Sequence, residues 1–290
     1  MKQLIQQVQE NVIRAKDFYK EFRLYDFASY SINYLTPKDT FEKEEHLAYG
    51  LKARQRLDLY RSKNAKPQKP LIVFVHGGSW RHGNKRNYLF IGETFAREGY
   101  DVAVINYHLA PEHIFPAFID DIAQAIHYLN QNQTKLKIST ENLILMGHSA
   151  GAFNVMSVVY SAQAKNFKYK DQIKAIVGLA GPYHFDYKGD PLAEHAFDLN
   201  ISYQQVMPYY FIEPNQIKHY LLIAEQDQLV ERRNTLDLDI ALREKGNHSH
   251  ISIIPKTGHI TIVATLASLM SHYFKTKRTI LHFLDEALNP

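Results

Sequence analysis

From Leu71 onward the chain carries short, unbroken apolar runs separated by stretches of helical periodicity. The runs are Leu71–Val75, Val102–Ile105, Leu143–Met146, Ala175–Leu179, Tyr220–Ala224 and Ile251–Ile254. Runs of this length without polar alternation suit strands covered on both faces, as in a parallel sheet. Phe115–Asn130, Ala150–Ala162, Thr235–Lys245 and the stretch from His259 to His272 read as helices between or after them. Strand and helix in alternation predict an α/β fold, a mostly parallel central sheet flanked by helices. Ahead of it, Leu57–Tyr60 alternates like a half-buried strand. Residues 2–34 place Ile5, Val8, Val12 and Ile13, then a series of aromatics, at helical spacing, predicting one or two N-terminal helices.

No second-domain boundary or internal repeat interrupts the pattern. The expectation is a single domain over 1–290, with an N-terminal helical segment at 1–55 and a catalytic core at 56–290. One long insertion, near residues 180–219, separates two predicted strands. It holds Pro182, Pro191, Pro208 and Pro214 among many aromatics. Loops of that length in compact domains are usually lids or walls of binding sites, so the insertion is expected over the site. Its tyrosines and phenylalanines suggest an enclosed, apolar pocket.

Composition narrows the function. The chain is 45% hydrophobic and 22% charged, with a net charge of +4 from 34 basic and 30 acidic residues. That excess is too small and dispersed for a nucleic-acid partner. With no cysteine, disulfides, thiol catalysis and cysteine-ligated zinc are excluded. The 15 histidines include His248 and His250, but no third ligand stands at a credible spacing, so no metal is expected. No run reaches the ~18 apolar residues of a membrane span. The polar start from Met1 to Glu10 has no secretory core, which points to a cytoplasmic enzyme.

Gly147-His148-Ser149-Ala150-Gly151 lies between a predicted strand and a predicted helix. In that context G-x-S-x-G is a tight corner that lifts a serine off the sheet edge, with glycines where side chains would collide. A serine hydroxyl needs a base, and the base needs an orienting acid. On such sheets they follow in the order Ser, Asp or Glu, His. Asp227 stands just past the Tyr220–Ala224 strand, and His259 follows the last strand after Gly258. Asp227 competes with Glu225, Asp237 and Asp239; the last two fall in the next helical pattern and Glu225 lies close to the strand end. His76-Gly77-Gly78-Ser79-Trp80 follows the first core strand, where its glycines let backbone N–H groups turn toward a ligand. The Ala150 N–H supplies another donor. His76 precedes the serine, the wrong order for a base, and reads as a loop-fixing hydrogen bonder. Trp80 reads equally as substrate-binding pocket wall or as packing.

These segments, with Asn106–Glu112, Phe115–Ala117 and Asp227–Val230, resemble an α/β-hydrolase of the esterase/lipase superfamily. The likeness is to its H-G-G-x-W branch of bacterial carboxylesterases and kynurenine formamidase-like enzymes. It runs from about residue 56 to the end of the chain. It implies a serine hydrolase cleaving an ester or amide of a small molecule without a cofactor, with Gly78, Ser79 and Ala150 as the oxyanion hole. Relatives with H-G-G-G carry an acid where this chain has His148 and a third glycine where it has Ser79. Many carry arginine where it has His108. The expected function is cleavage of short-acyl carboxylic esters. The alternatives are an arylformamidase and, from another class, a non-catalytic small-molecule binder.

Overall fold

A computed structural model describes residues 29–289. The eight strands are β1 (Phe41–Ala48), β2 (Arg56–Ser62), β3 (Leu71–Val75), β4 (Asp101–Ile105), β5 (Leu143–His148), β6 (Ile173–Leu179), β7 (Lys218–Ala224) and β8 (Ser249–Ile254). They form one sheet in the order β1-β2-β4-β3-β5-β6-β7-β8. The β1–β2 and β2–β4 pairs are antiparallel and every other pair is parallel. The principal helices are α1 (Leu89–Ala96), α2 (Ala117–Gln131), α3 (Ala150–Val159), α4 (Arg233–Glu244) and α5 (Thr276–Leu288).

The unbroken apolar runs follow from coverage on both faces. Leu71, Val73, Val75, Leu143 and Leu145 pack with Phe118 of α2, Phe153 of α3 and Leu238 of α4. Their neighbours Ile72, Phe74, Ile144 and Met146 point the other way, onto Phe90 and Phe95 of α1 and Phe283 of α5. Period-2 side-chain alternation thus feeds two cores, and no position in β3, β4 or β5 faces water.

Three elements depart from the sequence expectation. Within the 1–55 segment, residues 29–35 are helical, but Phe41–Ala48 is a strand. It is the sheet edge and is built from charged residues, as edges that resist further pairing are. Arg61 of β2 holds it from across the pair through Glu42 and Glu44. The predicted helices over residues 2–28 lie outside the described residues. Helix α1 is buried around most of its circumference, so it lacks the amphipathic stripe that marks a surface helix. Between His259 and His272 only Thr261–Ala264 forms a helical turn, and the long C-terminal helix is α5.

A buried ion pair ties the antiparallel edge to the loop after β3. Lys85 Nζ donates to Asp58 Oδ1 with both side chains almost fully enclosed, and the same oxygen accepts the His46 N–H at 2.9 Å. Lys85 N–H also donates to Asn106 Oδ1 at 2.6 Å. Removing the anion leaves the enclosed Lys85 cation with only the His46 ring nitrogen, at 3.1 Å, beside it. Asp58→Asn is therefore expected to lower unfolding stability by about 3–5 kcal/mol, read as a fall in the urea midpoint.

Candidate active site

Strand β5 ends at His148 and α3 begins at Ala150, so the chain turns at Ser149, whose φ is 55° and ψ −123°. A non-glycine residue held at positive φ costs on the order of 1–3 kcal/mol and persists only where its surroundings impose it. The surroundings here are backbone atoms. Ser149 N–H donates to Leu179 O at 2.9 Å, and Ser149 O accepts from Ala152 N at 2.9 Å. A Cβ on Gly147 would meet Gly151 O at 2.2 Å, and one on Gly151 would meet Val75 O at 2.1 Å. Both glycines are required for strand and helix to approach so closely.

At this corner three sequence-predicted residues come together. Ser149 Oγ donates to His259 Nε2 at 2.7 Å, and His259 Nδ1 donates to Asp227 Oδ2 at 2.8 Å. The other Asp227 oxygen accepts from the N–H groups of Leu229 and Val230 at 2.9 and 3.0 Å. Burial pushes the Asp227 carboxyl up, but His259 and the two N–H groups outweigh it and hold the acid below its ordinary value. The competing acids are engaged elsewhere: Glu225 with Lys256 N–H, Asp237 with His184 and Asp239 with Arg243.

His148, which the sequence marked only as a departure from H-G-G-G relatives, has a positional role. Its Nε2 donates to the His259 carbonyl at 2.8 Å, so the corner itself holds the backbone of the histidine that contacts Ser149. Burial, and secondarily the neighbouring His259, lowers its pKa to about 3. It therefore stays a neutral donor across ordinary pH.

The His76–Trp80 loop lies against the same corner. A Cβ on Gly77 would come within 3.0 Å of Ser149 Cβ, and one on Gly78, at φ 123°, within 2.5 Å of His82 O. Ser79 and Trp80 both sit at φ 54°. The N–H groups of Gly78, Ser79 and Ala150 donate to no other described residue. His76 is buried and stacked on Tyr107, with Nδ1 donating to Gly77 O at 2.8 Å. Burial lowers its pKa to about 3, in keeping with a structural donor. Trp80 is both wall and packing: it lines the cavity beside Ser149, donates through Nε1 to Asn154 Oδ1 at 2.8 Å, and abuts Phe153 and Phe197. His108, where many relatives carry arginine, donates through Nδ1 to Asp121 Oδ2 at 2.6 Å.

A cavity of about 440 Å³ opens over Ser149 and His259. Its far wall comes from the 180–219 insertion and the start of α4. That wall corrects the expectation of an apolar pocket. Phe185, Leu192 and Tyr203 are present, but Lys188, Arg233 and Asp237 share the lining. Many of the insertion's aromatics instead pack beneath it, as Phe197 does against Tyr187. Sequence reasoning also missed His184 in this wall. It donates to Asp237 Oδ2 at 2.6 Å, contacts Tyr210 Oη at 2.9 Å and stacks on Tyr209. Its partners lie 26 and 53 residues away, beyond any local signal.

The sheet, the corner and the cavity at its strand ends define an α/β-hydrolase of the esterase/lipase type. The chain belongs to the BD-FAE family, whose model matches residues 57–242. It is 25% identical over 232 residues to kynurenine formamidase from Drosophila melanogaster, covering 77% of this chain and 76% of that one. It is 32% identical over 144 residues to isoprenylcysteine alpha-carbonyl methylesterase ICME from Arabidopsis thaliana, covering 48% of this chain and 34% of that one. Among solved structures, esterase B from Lactobacillus rhamnosis superposes with a TM-score of 0.75 at 16% identity, covering 96% of each chain. A bacterial heroin esterase does so with a TM-score of 0.75 at 20% identity, covering 95% of this chain and 93% of that one.

The depressed Asp227 carboxyl has a thermodynamic consequence. A folded-state pKa below the unfolded value contributes stability that is complete above the unfolded pKa and is lost as pH falls through the folded one. The stability difference between wild type and Asp227→Asn, from urea unfolding, is therefore expected to be level above about pH 5 and to shrink as pH falls below it. A difference that holds constant through the acid range would contradict the assignment.

Proposed function

We propose that the protein is a serine hydrolase that cleaves short-acyl carboxylic esters through an acyl-enzyme. Ser149 Oγ attacks the substrate carbonyl while His259 Nε2 takes its proton. Negative charge that develops on the carbonyl oxygen is met by the N–H groups of Gly78, Ser79 and Ala150. Collapse expels the alcohol, which receives the proton from His259, and water then attacks the acyl-Ser149 ester by the same route in reverse. Asp227 holds His259 in the tautomer that leaves Nε2 bare and stabilises the imidazolium formed in each half-reaction. The observation that carries this reading is the Asp227–His259–Ser149 hydrogen-bond chain, both links under 3 Å, at the floor of a cavity. It also weighs against a non-catalytic binder.

The preference for a short acyl group rests on Trp80. Its ring lines the cavity beside Ser149 and is backed by Phe153 and Phe197, with centroids 5.3 and 5.0 Å away, a packed aromatic cluster that resists displacement by a long acyl chain. Formamide cleavage is the second reading, favoured by the match to kynurenine formamidase over 77% of the chain. The same residues would act on an N-formyl amide, with only a formyl hydrogen on the acyl side.

Ser149→Ala is expected to keep the wild-type circular dichroism spectrum and lose roughly 10⁵-fold or more in kcat on an aryl ester, the scale on which removal of a nucleophile acts. Near-wild-type turnover would place the nucleophile elsewhere. Across a series of formyl, acetyl, butyryl, hexanoyl and longer esters, kcat/KM is expected to peak at about two to six carbons and fall beyond, since each methylene is worth ~1–3 kcal/mol of discrimination. A peak at formyl with acetyl far weaker would move the assignment to the formamidase reading, and a peak at long chains would contradict both.

A further inference from the structure

Each peptide unit of the His76–Trp80 loop has its carbonyl anchored. Gly77 O accepts from His76 Nδ1 at 2.8 Å. Gly78 O accepts from Arg81 N and His82 N at 3.0 and 2.9 Å. Ser79 O accepts from Nε2 of His195 at 2.9 Å. In a trans peptide the C=O and N–H point in opposite directions, so anchoring a carbonyl aims the N–H of the next residue. The turn at Gly78 O aims the Ser79 N–H. Ser79 and Trp80, both at φ 54°, lie inside that turn, and the carbonyl of the peptide between them is held by His195.

The donors at Gly77 O and Gly78 O come from the loop and the two residues that follow it. His195 comes from the insertion, 116 residues away. It is itself fixed: it lies in a short helical turn, Glu194–Ala196, whose Ala196 carbonyl accepts the Phe115 N–H at 2.8 Å. The next residue, Phe197, packs on Trp80. Because a carbonyl can only accept, the His195 Nε2 carries the proton.

We infer that His195 is a positioning residue for ester cleavage, holding Ser79 at positive φ so that its N–H is preset for the carbonyl oxygen of the transition state. The inference rests on the reading of Ser149 as nucleophile and Ser79 N–H as oxyanion donor, and it gives the insertion a part in the reaction beyond walling the cavity. Without the clamp Ser79 is free to relax toward a right-handed conformation, which costs less for a non-glycine residue and turns the Gly78–Ser79 peptide, with the Ser79 N–H, away from its preset direction. The ground-state substrate needs little from this N–H, whereas the oxyanion needs it fully, so the loss falls on kcat.

The test compares His195→Phe, which removes the donor, with His195→Gln, whose amide keeps an N–H at similar reach. Kinetics on an aryl acetate, the Ki of an alkyl trifluoromethyl ketone and the thermal midpoint are measured for each. His195→Phe is expected to lose about tenfold in kcat, part of the 10²–10³-fold attached to a whole oxyanion donor, with KM within about twofold. Affinity for the ketone should fall by the same factor as kcat, and His195→Gln should recover most of both while melting no higher than His195→Phe. A kcat for His195→Phe within about twofold of wild type, or a His195→Gln variant as slow as His195→Phe, would overturn the inference. Ser149→Ala is assayed beside them. Its loss of activity alongside a fully active His195→Phe would overturn the role of His195 alone, whereas its retained activity would overturn the reading beneath it.

Discussion

Backbone touching backbone at the β5–α3 corner sets the geometry on which the site depends. Gly147 packs on the Gly151 carbonyl and Gly151 on the carbonyl of Val75, at distances that leave no room for a Cβ on either glycine. That contact binds three parts of the chain: β5, α3 and the end of β3, from which the His76–Trp80 loop departs. It forces Ser149 into the left-handed region, and the hydrogen bond from Ser149 N–H to Leu179 O keeps it there. The serine and the loop beside it are thus positioned by one close approach, and the strain is borne by a sheet whose central strands are wholly buried.

Around that corner the charge is kept simple. His148 and His76 are driven neutral by burial, so each serves as a fixed donor: one to the His259 carbonyl, the other to Gly77 O. Asp227 is the carboxylate paired with His259, and its second oxygen is occupied by two N–H groups. In the proposed reaction, an imidazolium formed at His259 would meet a pre-aimed anion with little reorganisation. Elsewhere in the cavity lining, Lys188, Arg233 and Asp237 bring charge. In the proposed reaction, that division would set a buried reacting centre apart from a polar surface for the rest of the substrate.

How much of this could be read from the sequence depended on how local each cause was. The buried strands were legible because coverage on both faces leaves an unbroken apolar run, as at Leu71–Val75. The charged edge strand β1 and the enclosed helix α1 were not, since one lacks apolar alternation and the other lacks a polar face. Ser149, Asp227 and His259 stood at strand ends in a fixed chain order, which is why their meeting was anticipated. His148, His184 and His195 carried no such mark: their partners lie 111, 53 and 116 residues away. The insertion's aromatics misled for a related reason, because composition does not say which side of a loop faces the cavity.

The central claim is that Ser149 is the nucleophile and is activated through His259. The most direct measurement is covalent capture: incubate wild type and His259→Ala with a fluorophosphonate, digest each, and locate the adduct by mass spectrometry. The account predicts stoichiometric phosphonylation of the wild type at Ser149 alone and slow or absent labelling of His259→Ala. Labelling of another residue, or equal labelling rates in the two proteins, would contradict it.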